Sequence, residues 1–375
     1  MKIAYLLGSL NRGGMETLLL DVFKNADKTD FDFIGIHRKN GALKENFYAS
    51  KQKFIQLSPK FKFDIFYLFK LRKLLKKEKI QIAHAQQWLD ALYAKIATIG
   101  TKIKVVQTYH GFEKDNFLLR FIIKKTDINF FVSDYQKGFY IKKYNLKPEK
   151  QAVVYNGISF EKFNNSGHSE LSEESYEQNR FLANARNDGQ LKMAMVGNFV
   201  RGRSQIEICK FLKLLNQQNI DFDFYFIGKK NEVETWRFDD CVNFCKENQL
   251  ENYVHFLGSR NDVPAILKQL DTFIYSTDHD TFGIAVIEAI AAKIPVFVND
   301  WAVMQEVTEN GKFATIYKTK DENDLLQKFL IFLQNKNEFI KNAEKSSIAV
   351  QNKFSIENHL NNLKQEYSKL LTLNS

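Results

Sequence analysis

Short, uniformly apolar runs alternate with helix-spaced stretches along most of this 375-residue chain, and that rhythm limits the fold more than any other feature. The run KIAYLLG (2–8) is followed by Met15, Leu18, Leu19, Val22 and Phe23, which share one face of a helix. Strand-like runs recur at FDFIGIH, KFIQL, IQIAHAQ, KVVQTYH, INFFVS and AVVYNG, with helical patterns between most of them. They are apolar at successive positions rather than at alternate ones, as expected when both faces of a sheet are covered. Repeated strand–helix units of this kind argue for a parallel sheet with helices on both sides.

The rhythm stops at Asn164. The stretch from there to Gln190 is polar and has little apolar periodicity, which reads as a linker carrying an inserted segment. A second series then begins at KMAMVGN (192–198) and continues through FDFYFIG, YVHFLG, DTFIYST, PVFVND and FATIYK. The expected domains are 1–160, a linker over 161–190, a second domain over 191–350, and a terminal helix over 351–375. In that helix Ile356, Leu360, Leu363, Tyr367, Leu370 and Leu371 form one stripe, with Ser355 as the N-cap.

Composition narrows the function classes without choosing one. Apolar residues make up 44% and charged residues 26%, the values of a water-soluble globular chain. No apolar stretch approaches the roughly 20 residues that a spanning helix needs. The N-terminal run breaks at Gly8, so it does not read as an export signal. Cys209, Cys241 and Cys245 then read as reduced cytosolic thiols, and Cys241 with Cys245 as helix packing rather than metal ligation. The formal charge of +10 suits nucleic acid, an anionic membrane surface or phosphorylated ligands. The cations are spread along the chain and no nucleic-acid motif is present, so nucleic acid is not expected as a partner. One segment, Phe61 to Lys79, mixes aromatics with seven Lys/Arg and two acids. It has two readings: a surface for anionic lipid headgroups, or an ordinary sheet-covering helix with a solvated basic face.

Candidate site residues cluster where strands end. GSLNRGG, Gly8 to Gly14, fails both the dinucleotide and the P-loop patterns, because Leu10 and Gly14 stand where Gly and Lys are required. It is a Gly-rich turn of bare amides, suited to close approach by a phosphate or a sugar. His110, followed by Gly111, ends one strand run, and His84 ends another. Arg201 and Arg203 lie between the first strand and first helix of the second series, where cations can neutralise a diphosphate. In YSTDHDTFGIAVIEA, Asp278 and Asp280 have the spacing of a divalent-metal clamp, whereas Asp280 and Glu288 bracket a Phe-Gly turn. A helix starting near Gly283 would present the amides of Gly283, Ile284 and Ala285 as an anion site.

Taken together, the early GG, TYHG, VVYNGISFEKF, MVGNFVRGRSQ and the block from Val254 to Asn299 resemble the retaining glycosyltransferases of family 4. The resemblance implies the GT-B fold, with two Rossmann-like domains facing across a cleft and the terminal helix crossing back to the first domain. It implies transfer of a sugar from a nucleoside-diphosphate donor to a glycan or lipid-linked hydroxyl. No metal or other cofactor is required on this reading, and the protein would be cytoplasmic or peripheral on the inner membrane face. Gly13 and Gly14 would face donor phosphates or acceptor, and His110 the donor sugar. Arg203 would bind the diphosphate, Glu288 the ribose, and Gly283 with its neighbours sugar or phosphate. Asp280 stands where the family pattern has Glu, Arg203 where it has Lys, and Asn198 where many members carry a phosphate-binding Arg. A nucleotide-sugar epimerase and a degenerate, non-catalytic transferase are the competing readings.

Overall fold

The computed structural model describes residues 1–164 and 190–372, which form two units: Met1–Ser159 with Phe354–Ser375, and Phe160–Lys353. Residues 165–189 of the expected linker lie outside the described residues.

The first unit holds β1 (Lys2–Ser9), β2 (Asp32–Lys39), β3 (Lys53–Gln56), β4 (Ile82–Ala85), β5 (Lys104–Tyr109), β6 (Ile128–Phe131) and β7 (Gln151–Val153). They pair in parallel in the order β3-β2-β1-β4-β5-β6-β7. Alternate side chains of β1 explain why its apolar run is continuous. Ile3, Tyr5 and Leu7 enter one core with the helix Gly14–Lys24 and the terminal helix. Ala4 and Leu6 enter the other, beneath the helices Ile65–Lys77, Trp88–Ala97 and Phe117–Lys125. A fully buried Leu, Ile or Phe contributes about 1.5–3 kcal/mol, so both faces drive this packing.

The terminal helix Ile356–Thr372 belongs to the first unit, as the family pattern implies. Ser355 accepts a hydrogen bond from the Asn358 N–H at 3.1 Å, the N-cap read from the sequence. The predicted stripe is buried except at Leu371, which packs against the core partly exposed. A polar chain runs through this apolar contact. The Tyr367 hydroxyl lies 2.6 Å from His84 Nδ1 and 3.3 Å from the Tyr5 hydroxyl, and His84 Nε2 lies 2.7 Å from Thr108 Oγ1. Burial, followed by His110 and His359, pushes His84 well below its ordinary pKa. His84 is therefore a neutral structural link.

The second unit holds β8 (Leu191–Val196), β9 (Phe222–Ile227), β10 (Val254–Gly258), β11 (Thr272–Tyr275), β12 (Val296–Asn299) and β13 (Thr315–Tyr317). These are also parallel, in the order β10-β9-β8-β11-β12-β13. Cys209, Cys241 and Cys245 are buried free thiols on two neighbouring helices, with 3.9 Å between the sulfurs of Cys245 and Cys209. Among the described residues no helix is long and apolar enough to cross a membrane.

Candidate functional site

Each sheet reverses its strand order once. β1 lies between β2 and β4, and β8 between β9 and β11. Ligands of open parallel sheets bind beyond the C-terminal strand ends at such a reversal. Nearly all the nominated residues lie beyond the C-terminal ends of these strands or their immediate neighbours.

In the first unit β1 runs through Gly8 to Ser9, so the turn begins later than the Gly8–Gly14 reading placed it. Gly13 is the N-cap of the helix Gly14–Lys24 and supplies no side-chain cap. Glu16 changes the expected bare anion site. Its carboxylate folds back to its own backbone N–H, with Oε2 only 2.6 Å from where a Cβ on Gly13 would sit. An acid therefore already lies at this helix start, and burial raises its pKa. His110 follows β5 directly, and Nε2 lies 2.7 Å from Gln86 Oε1. The Gln86 Nε2 group is buried without a hydrogen-bond partner among the described residues. Burial, then His359, lowers the His110 pKa to about 3, so the imidazole is neutral at ordinary pH. A Cβ on Gly111 would meet nothing within 4 Å, leaving the space beside His110 open.

In the second unit the loops after β8 and β11 are laced together. Gly202 adopts φ +88°, and a Cβ there would lie 2.3 Å from the His279 Cβ. Its carbonyl accepts from Thr277 Oγ1 at 2.5 Å and from the Asp278 N–H at 3.2 Å. The next residue, Arg203, bridges to Thr277 through the backbone and extends its guanidinium over the Tyr275 ring, 5.5 Å from the centroid.

Asp280 organises this corner. Its Oδ2 lies 3.2 Å from Arg203 Nη1 and accepts from the Tyr275 hydroxyl at 2.6 Å. Its Oδ1 accepts from the Thr281 N–H at 3.1 Å, and its carbonyl accepts from Trp301 Nε1 at 2.9 Å. Burial above all, with Asp280 adding to it, pushes Tyr275 well above its usual range, so the hydroxyl stays protonated and donates. The Arg203 Nε is buried and has no hydrogen-bond partner among the described residues. Gly283, at φ +84°, is the N-cap of the helix Ile284–Ala291, where the sequence placed a helix start. As a glycine, Gly283 offers the first-turn amides no side-chain cap of its own.

Glu288 has a different ionic partner from Asp280. It lies one turn into the helix, and its Oε1 is 2.6 Å from Lys162 Nζ on the short helix Glu161–Asn164. Asn198 is exposed, and its Oδ1 accepts from the Lys229 N–H at 2.8 Å, tying two loops together. Arg201 is exposed, and its backbone N–H donates to Glu234 at 2.9 Å. Sequence reading missed Glu16, Gln86, Lys162, Tyr275 and Trp301.

This corner lies at the order reversal of the second parallel sheet. Residues 12–162 match Glycosyltransferase Family 4, and residues 177–346 match Glycosyl transferases group 1. The chain belongs to glycosyltransferase family 4.

This family 4 glycosyltransferase is 25% identical over 325 residues to the Escherichia coli UDP-Gal:alpha-D-GlcNAc-diphosphoundecaprenol alpha-1,3-galactosyltransferase, covering 80% of this chain and 79% of that one. It is 25% identical over 285 residues to the N,N'-diacetylbacillosaminyl-diphospho-undecaprenol alpha-1,3-N-acetylgalactosaminyltransferase of Campylobacter jejuni, covering 72% of each. Its fold superposes on Anabaena HepE, crystallised with UDP and glucose, with a TM-score of 0.83 at 16% identity over 98% of this chain and 100% of that one. The glycosyltransferase has two Rossmann-like parallel-sheet domains of the GT-B type and is a hexosyltransferase.

Proposed function

We propose that the protein is a retaining, metal-independent glycosyltransferase that moves a sugar from a uridine-diphosphate donor to a hydroxyl of a glycan carried on a diphosphate-linked lipid. The observation that carries this reading is the Arg203–Asp280–Tyr275 corner beside the helix start at Gly283. A sugar diphosphate leaves with increasing negative charge as its anomeric C–O bond breaks. Arg203 is held in place by Asp280, with its Nε unpartnered among the described residues. That guanidinium and the amides of Gly283, Ile284 and Ala285 supply preorganised donors for the charge.

In the proposed step the acceptor oxygen bonds to the anomeric carbon on the face that the diphosphate leaves. The acceptor proton passes to the departing phosphate oxygen, so no side-chain base is assigned. A cation, Arg203, already occupies the Asp280 carboxylate, which supports the reading without a metal clamp at Asp278 and Asp280. Asp280 then acts on the donor mainly by aligning Arg203. Glu288 is assigned the ribose hydroxyls, with Lys162 aiming its carboxylate. In the first unit, neutral His110 is assigned to the sugar, and Gly13 with Gly14 to phosphates or acceptor. Asn198 is assigned to the same donor-side loop as Arg203.

The lipid-linked acceptor follows the names of the two relatives and has a counterpart on the surface. The helix Ile65–Lys77 turns Tyr67, Leu71 and Leu75 to the sheet, so the sheet-covering reading holds for its inner face. Outside, Phe61, Phe66 and Phe69 are exposed at 62%, 71% and 64%, followed by exposed Lys70, Lys73 and Lys76. Exposed aromatics beside lysines suit an anionic bilayer surface, so the protein is assigned to the cytoplasmic membrane face. Incubation with UDP-sugars and a sugar diphosphoundecaprenol acceptor, in chelator, tests the reading. Transfer with retained anomeric configuration is expected; sugar isomerisation without an acceptor would overturn it.

A further inference from the structure

A cavity of about 360 Å³ opens on the first unit, far from the residues assigned to transfer. It lies where the helix Trp88–Ala97 ends and β5 begins, against the helix Phe117–Lys125. Lys104 opens β5 and His110 follows its other end, a separation of roughly 20 Å along the strand. The volume is within the usual range of roughly 300–1,000 Å³ for small-molecule sites.

The lining has two parts. Leu92, Ile96, Ile99 and Phe121 make an apolar wall. Ile99 is 68% exposed and Phe121 47% exposed, although both could have been polar at no cost to the core. Arg72 fixes this turn by donating from Nη1 to the carbonyls of Ala97 at 2.8 Å and Ile99 at 2.6 Å. Lys95, Lys102, Lys104 and Lys125 surround that wall, with Asp127 as the one acid. Asp127 is already engaged: its Oδ2 takes Lys95 Nζ and the Val105 N–H, each at 2.8 Å. Among the described residues Lys102, Lys104 and Lys125 have no anionic partner. Four lysines less one aspartate leave a local charge of +3.

An apolar wall beside three ammonium groups without an anionic partner among the described residues, one of them Lys125 over the Phe121 ring at 5.8 Å, fits a molecule with a phosphate at one end and hydrocarbon at the other. A free phosphate would make no use of Ile96, Ile99 and Phe121. The cavity also shares a sheet face with the helix Ile65–Lys77. We propose that this cavity binds one anionic phospholipid of the bilayer. Its phosphate lies at Lys102, Lys104 and Lys125, and its first methylenes lie against Ile96, Ile99 and Phe121. The site deepens the membrane reading above, which concerns the aromatic helix, and it can fail separately from that reading.

The test uses the full-length protein and two assays. Calorimetry measures binding of dihexanoyl phosphatidylglycerol below its micelle concentration, with dihexanoyl phosphatidylcholine and inorganic phosphate as controls. Sedimentation measures binding to phosphatidylcholine vesicles with and without phosphatidylglycerol. Short-chain phosphatidylglycerol is expected to bind saturably at one site, at least about tenfold tighter than either control. Lys102→Gln/Lys125→Gln should weaken it at least about tenfold, since a lysine near a lipid phosphate contributes roughly fivefold. Phe66→Ser/Phe69→Ser should keep short-chain binding and lose vesicle binding. Equal binding of phosphatidylcholine, equal binding of phosphate, or an unchanged Lys102→Gln/Lys125→Gln variant with a wild-type near-UV spectrum would each overturn the site. If the short-chain lipid binds but vesicles do not, the site stands and the bilayer as its source is overturned.

Discussion

Arg203 and Asp280, seventy-seven positions apart in sequence, meet at 3.2 Å with the Tyr275 hydroxyl on the same carboxylate oxygen. On the proposed function, Asp280 acts on the donor through Arg203. Removing one preorganised donor of transition-state charge costs about 10²–10³ in turnover. Arg203→Ala should show a loss of that size, with little change in melting temperature. Asp280→Asn should lose less, because the guanidinium remains. The double variant should be no slower than Arg203→Ala, since the two residues act as one unit. Multiplicative losses in steady-state kinetics would separate them.

Glu288 and Lys162 make the second pair, at 2.6 Å. Glu288→Gln should lose most transfer while the fold stays intact by circular dichroism. Lys162→Met should raise the donor KM several-fold and leave kcat nearly unchanged, because it removes an aiming contact rather than charge stabilisation. Lys162→Arg should restore the wild-type KM. A fall in kcat alone for Lys162→Met would contradict this division.

The difference between what was and was not legible in the sequence follows from range. Both sheets were legible because strands such as β1 are buried on both faces, which leaves continuous apolar runs. Gly283 marked its helix because only backbone at φ +84° joins that loop to the first turn. The pairs were not legible. Lys162 lies 126 positions from Glu288, and nothing local distinguishes it from other surface lysines. Tyr275 read as a strand apolar residue, yet its hydroxyl holds Asp280. The GSLNRGG turn was read as bare amides because the return of the Glu16 side chain depends on burial rather than on spacing.

Acid should weaken the first unit before it protonates most carboxylates. Burial pushes His110 to about 3 and His359 to about 4, and takes His84 well below its ordinary value. The unfolded chain binds protons at these groups near pH 6.5, where the folded chain does not. Stability is therefore full above about pH 6.5 and falls as pH drops toward 4. His110→Asn should reduce the slope of unfolding free energy against pH by up to about 1.4 kcal/mol per unit between those values. Urea titrations at several pH values measure this. A slope unchanged in the variant would contradict a neutral, partly buried His110.

The Arg38–Asp90 pair ties the end of β2 to the helix Trp88–Ala97 at 2.6 Å, with side chains 15% and 2% exposed. Asp90→Ala leaves the guanidinium largely buried without its partner. The expected loss is about 3–5 kcal/mol in chemical denaturation. A loss below about 1 kcal/mol would place the pair with surface ion pairs instead.

The most direct test of metal-free retaining transfer at Arg203 is proton NMR of the product formed from an α-linked UDP-sugar in excess EDTA. Wild-type protein should give an α-linked product in chelator, and Arg203→Ala should form the same product at least about a hundredfold more slowly. A β-linked product, activity abolished by EDTA and restored by manganese, or wild-type turnover in Arg203→Ala would contradict it.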